Sequence, residues 1–230
     1  MLDEDKNYYA RSLNSQKLWQ VYDTKIQRVR QYLDAEIDFV RKRLRGIERV
    51  LEAGAGYGRI LKKLAFCARS FLGIDISGES VRFGREYVKG FPNIRLEVMD
   101  AHDLDFDGEF DAALCLQNGL SAMKGEALNL VNGCVRALKK GGAAYFSTYS
   151  EKFWPHRLAW FEEQADKGLL GKIDRNKTGE GVIACEDGFR AVTFTKEDFA
   201  ALGEASGHEY EISENDGSSL FLVITKTQPG

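Results

Sequence analysis

The stretch Val50-Leu51-Glu52-Ala53-Gly54-Ala55-Gly56-Tyr57-Gly58-Arg59 constrains the fold of this chain more than any other. An apolar run enters a turn with glycine at positions 54, 56 and 58, and a helical pattern follows. Glycine has no Cβ and tolerates positive φ, so such a turn lets the backbone approach a ligand closely. Two other ligand turns are excluded by spacing. A dinucleotide turn reads G-x-G-x-x-G, and Arg59 stands where its third glycine is required. A phosphate-binding loop needs Gly-Lys-Ser/Thr, which is absent. On this segment alone, a plain tight turn between strand and helix is the bland alternative.

The segments downstream weigh against the plain turn. Phe71-Leu72-Gly73-Ile74-Asp75-Ile76-Ser77 reads as a second apolar strand, with Asp75 lying 21 residues after Gly54. An acid at that point can accept hydrogen bonds from both hydroxyls of a ribose. Ser77 or Ser80 then caps a helix. A third strand over 94–99 ends in Asp100-Ala101, and a fourth over 110–116 leads into Gln117-Asn118-Gly119. Polar groups thus fall at successive strand C-termini, where an open parallel sheet binds its ligands. Helices are expected over 58–68, 78–89 and 124–139, with Lys139-Lys140-Gly141-Gly142 as a helix stop and a fifth strand over 143–149. Strands alternating with helices imply a doubly wound parallel sheet.

The flanks are decorated. Residues 8–45 carry an apolar stripe at three- and four-residue steps and read as helical, with a break near Asp23-Thr24. The basic run Arg41-Lys42-Arg43-Leu44-Arg45 reads as a solvated helix end. Residues 152–168 look helical, interrupted near Pro155. Strands 182–185 and 189–194 flank Glu186-Asp187-Gly188 as a hairpin. Thr195 caps a last helix, and strands near 208–214 and 219–226 close the chain. The expected organisation is one domain, 1–230, with an N-terminal helical extension over 1–45 and a substrate-cap insertion over 151–194.

The E-x-G-x-G-x-G spacing resembles the signature of class I S-adenosylmethionine-dependent methyltransferases. Segments 47–149 and 195–226 look like that fold: a Rossmann-like α/β, doubly wound, seven-stranded and mostly parallel sheet with an antiparallel C-terminal hairpin. The resemblance implies S-adenosyl-L-methionine as cofactor. It places Glu52, Gly54, Ala55, Gly56, Gly58, Asp75, Ile76, Asp100, Ala101 and Gln117 around it, with Asp100 at the adenine amino group. Leu18-Trp19-Gln20-Val21-Tyr22 is similar to the Trp-Gln-x-Tyr segment of glycine N-methyltransferase-like enzymes. That similarity implies that Trp19 and Tyr22 close over the methionine part of the cofactor. The chain lacks that family's Asp-His-Arg-Asn run after the fifth strand, so glycine is not implied as acceptor.

For the acceptor, His156 is the candidate base, because it follows the fifth strand on the ligand edge. Asn118 is read as substrate-binding, because the resemblance implies that its segment flanks the methyl donor. Trp154, Trp160 and Phe161 suit an aromatic wall, and Arg157 and Arg190 suit a substrate carboxylate. Packing or solvation is the plain alternative for each. His102 is read as a packing or edge contact beside the adenine, and His208 as structural. The four cysteines, 67, 115, 134 and 185, are too widely spaced for zinc or a disulfide framework, and no metal site is expected. A net charge of −3 offers nucleic acid no basic field. Without a secretory or membrane-length apolar run, a cytoplasmic protein is expected. The leading reading is a methyltransferase acting on N or O of a small-molecule acceptor. Protein or RNA methylation, and a non-catalytic cofactor-binding partner protein, are the alternatives; the oligomeric state is left open.

Overall fold

Alternating apolar positions in the strands send neighbouring side chains to opposite faces of one sheet, and both faces are covered. The structure, a computed structural model, describes residues 8–44 and 46–227. Residues 1–7 of the expected extension and Arg45 of the basic run lie outside the described residues. The parallel strands are β1 (Ile47–Ala53), β2 (Ala68–Asp75), β3 (Ile94–Val98), β4 (Phe110–Cys115) and β5 (Leu138–Tyr149). A separate ribbon of β6 (Val182–Ala184) and β7 (Arg190–Val192) is antiparallel, as is the closing pair β8 (Glu209–Asn215) and β9 (Ser219–Thr225). The seven-stranded sheet runs β3-β2-β1-β4-β5-β9-β8, with β9 antiparallel to β5.

The helices are α1 (Tyr8–Arg11), α2 (Ser15–Tyr22), α3 (Gln27–Arg41), α4 (Arg59–Leu64), α5 (Gly78–Tyr87), α6 (Gly119–Ala122), α7 (Ala127–Ala137), α8 (Trp154–Asp166) and α9 (Lys196–Ala205). In one core, Val50, Phe71, Leu96 and Leu114 meet Val40, Leu61 and Val81 of α3, α4 and α5. The opposite core joins Leu51, Ile74, Ala113 and Phe146 to Val131 and Cys134 of α7 and Phe199 of α9. A third core lies beyond the sheet edge. It joins Val21, Val29, Tyr32 and Leu33 of the N-terminal helices to Phe153, Trp160, Phe161, Ile183 and Phe189 of the 151–194 segment. Burying such side chains contributes roughly 1.5–3 kcal/mol each, so the extension and the insertion stabilise one another.

Several local expectations change. The N-terminal helix breaks twice, at 12–14 as well as 23–26. At the second break Thr24 Oγ1 accepts from the Ile26 amide at 3.1 Å and donates to Glu163 of α8 at 2.5 Å. Pro155 does not interrupt α8 but sits in its first turn, where its missing N–H costs nothing. α7 starts only at Ala127, because Lys124 and Gly125 take positive φ (46° and 102°) and separate it from α6. Lys139–Gly142 belong to β5 rather than to a helix stop; the register against β4 shifts there. Thr195 caps α9 in a reciprocal pair with Asp198. Among the described residues the four cysteines are free, and no helix is long and apolar enough to cross a membrane.

Candidate functional site

A cavity of about 310 Å³ follows the C-terminal ends of the parallel strands, between the sheet and helices α2 and α8. The glycine turn contributes Gly54 and Gly56, and the end of β2 contributes Asp75 and Ile76. Met99, Asp100, Ala101 and His102 follow β3, and Leu116 and Gln117 follow β4. Met123, Lys124 and Gly125 form one rim. Tyr149 of β5, with Trp160, Phe161 and Gln164 of α8, makes an aromatic wall. Leu13, Leu18, Val21 and Tyr22 close the cavity from the N-terminal side.

The turn owes its shape to left-handed backbone at Gly54 (φ 72°) and Gly56 (φ 55°). A Cβ on Gly54 would stand 3.2 Å from Met123 Sδ, and one on Gly56 would stand 2.8 Å from Leu18 Cδ2. Asp75 fixes this turn from below. Its Oδ2 accepts from the Gly56 amide at 2.8 Å, and its Oδ1 accepts from the Ser77 amide at 2.9 Å. Asp100 Oδ1 accepts from the His102 amide at 2.9 Å and orients that loop.

Buried charge gathers behind the turn. Glu52 is buried, and its Oε2 has no hydrogen-bond partner. Burial pushes its carboxyl up to about 8; Arg59 pulls it down, while Asp75 and Glu36 add to the rise. The Arg59 guanidinium lies 4.1 Å from the Tyr22 ring centroid, and its Nη2 has no partner. Burial raises the Tyr22 phenol above its ordinary range, against the pull of Arg59. On the cavity wall, Gln117 Oε1 and His102 Nε2 are also buried without a partner. Unpaired buried polar atoms are costly, and of these residues Gln117 and His102 line the cavity. Burial pulls the Lys124 ammonium down, with Arg190 adding to the effect, and Lys124 Nζ donates to the Arg190 carbonyl at 2.7 Å.

The expected site residues divide. Tyr22, Gly54, Gly56, Asp75, Ile76, Asp100, Ala101, Gln117 and Trp160 line the cavity. Trp19 does not: it is 46% exposed, because α2 turns Leu18, Val21 and Tyr22 inward and Trp19 outward. Glu52 and Ala55 are buried beside the cavity without lining it. A Cβ on Gly58 would meet Leu96 and Val88 at 3.2 Å, so this glycine serves helix–sheet packing. Asn118 is tied into the fold; its Nδ2 donates to the Val192 carbonyl and its Oδ1 accepts from Thr148.

On the acceptor side the corrections are larger. His156 is exposed on α8, outside the cavity, with its ring against Phe153. Arg157 is fully buried. It donates to the Gly181 and Ala191 carbonyls and to Thr193 Oγ1, and it stacks over Tyr149, Trp154 and Phe161. It is therefore a structural tie for the cap, and Trp154 is its packing partner. Arg190 is exposed and does not line the cavity. Among the described residues no cluster of His, Cys, Asp and Glu has the makings of a metal site.

Sequence reasoning also missed residues. Leu18 and Val21 share the helical face of Tyr22, a phase that the i, i+3, i+4 spacing encodes. Glu36 is another: it falls within the apolar stripe of α3, between Leu33 and Val40, and a carboxylate at such a position signals a buried polar contact. Tyr149, Met123 and Lys124 carried no local signal.

A methyltransferase-domain family matches residues 50–142. The ubiquinone biosynthesis O-methyltransferase of Thiobacillus denitrificans is 26% identical over 115 residues, 49% of each chain. The match thus spans about half the length of that relative. Among solved structures, the DhpI–SAH complex superposes with a TM-score of 0.66 at 17% identity, covering 94% of both chains. The [4+2]-cyclase SpnF superposes with a TM-score of 0.61 at 16% identity, covering 93% of this chain and 96% of its own. The glycine turn, the strand order and the family match converge: residues 50–142 match a methyltransferase domain, set in the fold of the solved methyltransferases it resembles.

Proposed function

We propose that this chain transfers the methyl group of S-adenosylmethionine to a nitrogen or oxygen of a small-molecule acceptor. The observation that carries the reading is the cavity itself. It runs from the ends of β3 and β2, past the glycine turn, to a wall of Tyr149, Trp160 and Phe161. When bound, the cofactor supplies an electrophilic methyl group on a sulfonium that leaves as a neutral thioether. The protein's task is then to align the acceptor, which alone supplies about 7–11 kcal/mol, and to keep water out.

The aromatic wall suits that task. Trp160 Nε1 is engaged by the Val21 carbonyl at 3.0 Å, so the indole offers the acceptor its face rather than its donor. Such faces hold flat rings or amines through cation–π attraction. With His156 outside the cavity, the wall contributed by β5 and α8 presents no imidazole or carboxylate. That favours an acceptor nucleophilic without an enzymic base: a neutral amine, or an oxygen acidic enough to ionise in water. A net charge of −3 weighs against RNA. The N-terminal extension and the 151–194 segment serve as the lid.

A cyclase among the proteins of this fold is the reason to separate binding from turnover. Calorimetry with S-adenosylhomocysteine tests binding. Transfer of a labelled methyl group to a pool of small amines and phenols tests turnover; labelling of protein or RNA alone counts against the small acceptor. Hydrogen exchange over 15–22 and 154–166 is expected to slow on binding while the central strands barely change. Equal exchange with and without ligand in both segments rejects the lid.

A further inference from the structure

Glu36 is a carboxylate from the N-terminal extension, fully buried and outside the matched domain. Its Oε1 accepts from Ser147 Oγ at 2.5 Å and from the Gln117 amide at 3.4 Å. Its Oε2 accepts from the Gln117 side-chain Nε2. Three donors thus converge on one carboxylate, and an ionised carboxylate only accepts. Burial pushes the Glu36 carboxyl up, while hydrogen bonds from Ser147 and Gln117 and the charge of Arg59 pull it down.

One end of the Gln117 amide is therefore committed. Its nitrogen faces Glu36, and its oxygen is left buried and without a hydrogen-bond partner in a residue that lines the cavity. The backbone is fixed as firmly. Gln117 (φ 57°) and Asn118 (φ 60°) are consecutive left-handed residues without glycine's freedom. The Gln117 amide is also held by Ser147 Oγ at 2.9 Å, and Asn118 by Thr148 and Val192. Strain of this kind persists only where the surroundings over-determine it.

Strand order says which part of the cofactor meets this oxygen. If Asp75 and Asp100 hold the nucleoside, as the resemblance implies, it would lie over the β3–β2 side, and its 5′ substituent would extend towards β1 and β4, where Gly54 and Gln117 stand. That substituent ends in an amino acid, whose only strong donor is its ammonium. We propose that Glu36 is a positioning residue that sets the polarity of the Gln117 amide, so that Gln117 Oε1 receives the ammonium of the bound cofactor. The inference rests on cofactor binding in this cavity.

Glu36→Gln keeps the shape and reverses the polarity. The new amide oxygen satisfies Ser147 and the Gln117 N–H, and the new NH2 faces the Gln117 side chain. Gln117 must then flip and present its own NH2 to the ammonium. Calorimetry with S-adenosylhomocysteine and with 5′-methylthioadenosine, which lacks the amino acid, reads the consequence. S-adenosylhomocysteine affinity is expected to fall about 10- to 100-fold, as for one lost charged hydrogen bond, while 5′-methylthioadenosine changes by less than about twofold. Gln117→Met, which conserves volume, is expected to act alike. The double variant is expected to be no weaker than Gln117→Met alone, because Glu36 acts through Gln117. If Glu36→Gln weakens both ligands equally, or if the two substitutions multiply, the inference is overturned and the cofactor reading stands. If the wild-type protein binds neither ligand, both fall.

Discussion

Asp75 ties the shape of the glycine turn to the grip on the ligand, and its removal separates the two. In the protein alone its oxygens already accept from the Gly56 and Ser77 amides at 2.8 and 2.9 Å. On the proposed reading they are expected to take two ribose hydroxyls as well. Each hydrogen bond to a charged group is worth about 1.5–3 kcal/mol, and water refilling the site returns part of that. Asp75→Ala is therefore expected to weaken cofactor binding by about 2–4 kcal/mol, or roughly 30- to 1000-fold in Kd. It also leaves two turn amides without their acceptor, so a fall in Tm is expected. Asp75→Asn, which keeps one accepting oxygen, should fall between. Loss of affinity alone does not distinguish a lost ribose contact from a disordered turn, so the assay compares two ligands by calorimetry: S-adenosylhomocysteine and its 2′,3′-dideoxy analogue. The wild-type protein should prefer the parent, and Asp75→Ala should lose that preference. An alanine variant that retains the wild-type ratio refutes the ribose contact, whatever happens to absolute affinity.

Three further outcomes follow from the geometry. Gly56→Ala forces an L-residue into left-handed backbone, at about 1–2 kcal/mol, and sets a Cβ 2.8 Å from Leu18 Cδ2. Faster hydrogen exchange in α2 is expected, and unchanged exchange there counts against Leu18 as its support. Arg157→Met strips a buried cation from the Gly181 and Ala191 carbonyls and Thr193, and should cost about 1.5–3 kcal/mol. Proteolysis within 179–193 should accelerate; an unaltered cleavage rate would refute the tie. Glu52 titrates at about 8 in the folded chain against an ordinary value of 4.5 when unfolded, so between those values the folded state holds the extra proton. Stability from this group is fully present below the unfolded value and lost as pH rises towards 8, by at most about 1.4 kcal/mol per pH unit. Denaturant melts of Glu52→Gln should show a shallower decline from pH 5.5 to 8; an identical slope refutes the shift.

The sheet was legible because its information is local. Strands β1 to β4 each carry an apolar run, and the C-terminus of each is followed by its own polar signal, at 52–58, 75, 100 and 117. The strand-end wall of the cavity therefore follows from four short stretches of sequence. The acceptor side does not. Arg157 looks free in Trp154-Pro155-His156-Arg157, yet its partners are residues 181, 191 and 193, brought near by a hairpin whose docking no local pattern encodes. His156 and Arg157 are neighbours on one helix, and a 100° step between them sends one to solvent and the other into the core. The same step separates Trp19 from Leu18. An aromatic-rich segment announces that something is buried; only its helical phase says which residue.

The third core gives the two decorations a shared consequence. Val21 and Tyr32 of the extension pack with Trp160 and Phe153 of the cap. The Trp160 indole donates to the Val21 carbonyl, Thr24 donates to Glu163, and Lys167 Nζ donates to the Asp23 carbonyl. α2 cannot lift from the cavity without breaking these ties or carrying α8 with it. Glu36, on the next helix, reaches from the same extension to Gln117 at the end of β4. The segments that cover the cavity and the residue that orients its polar wall therefore belong to one packed unit. On the proposed reading, ligand contacts at Gln117 would be coupled to the closure of α2 and α8 through α3, and the extension would act as part of the site rather than as an appendage to it.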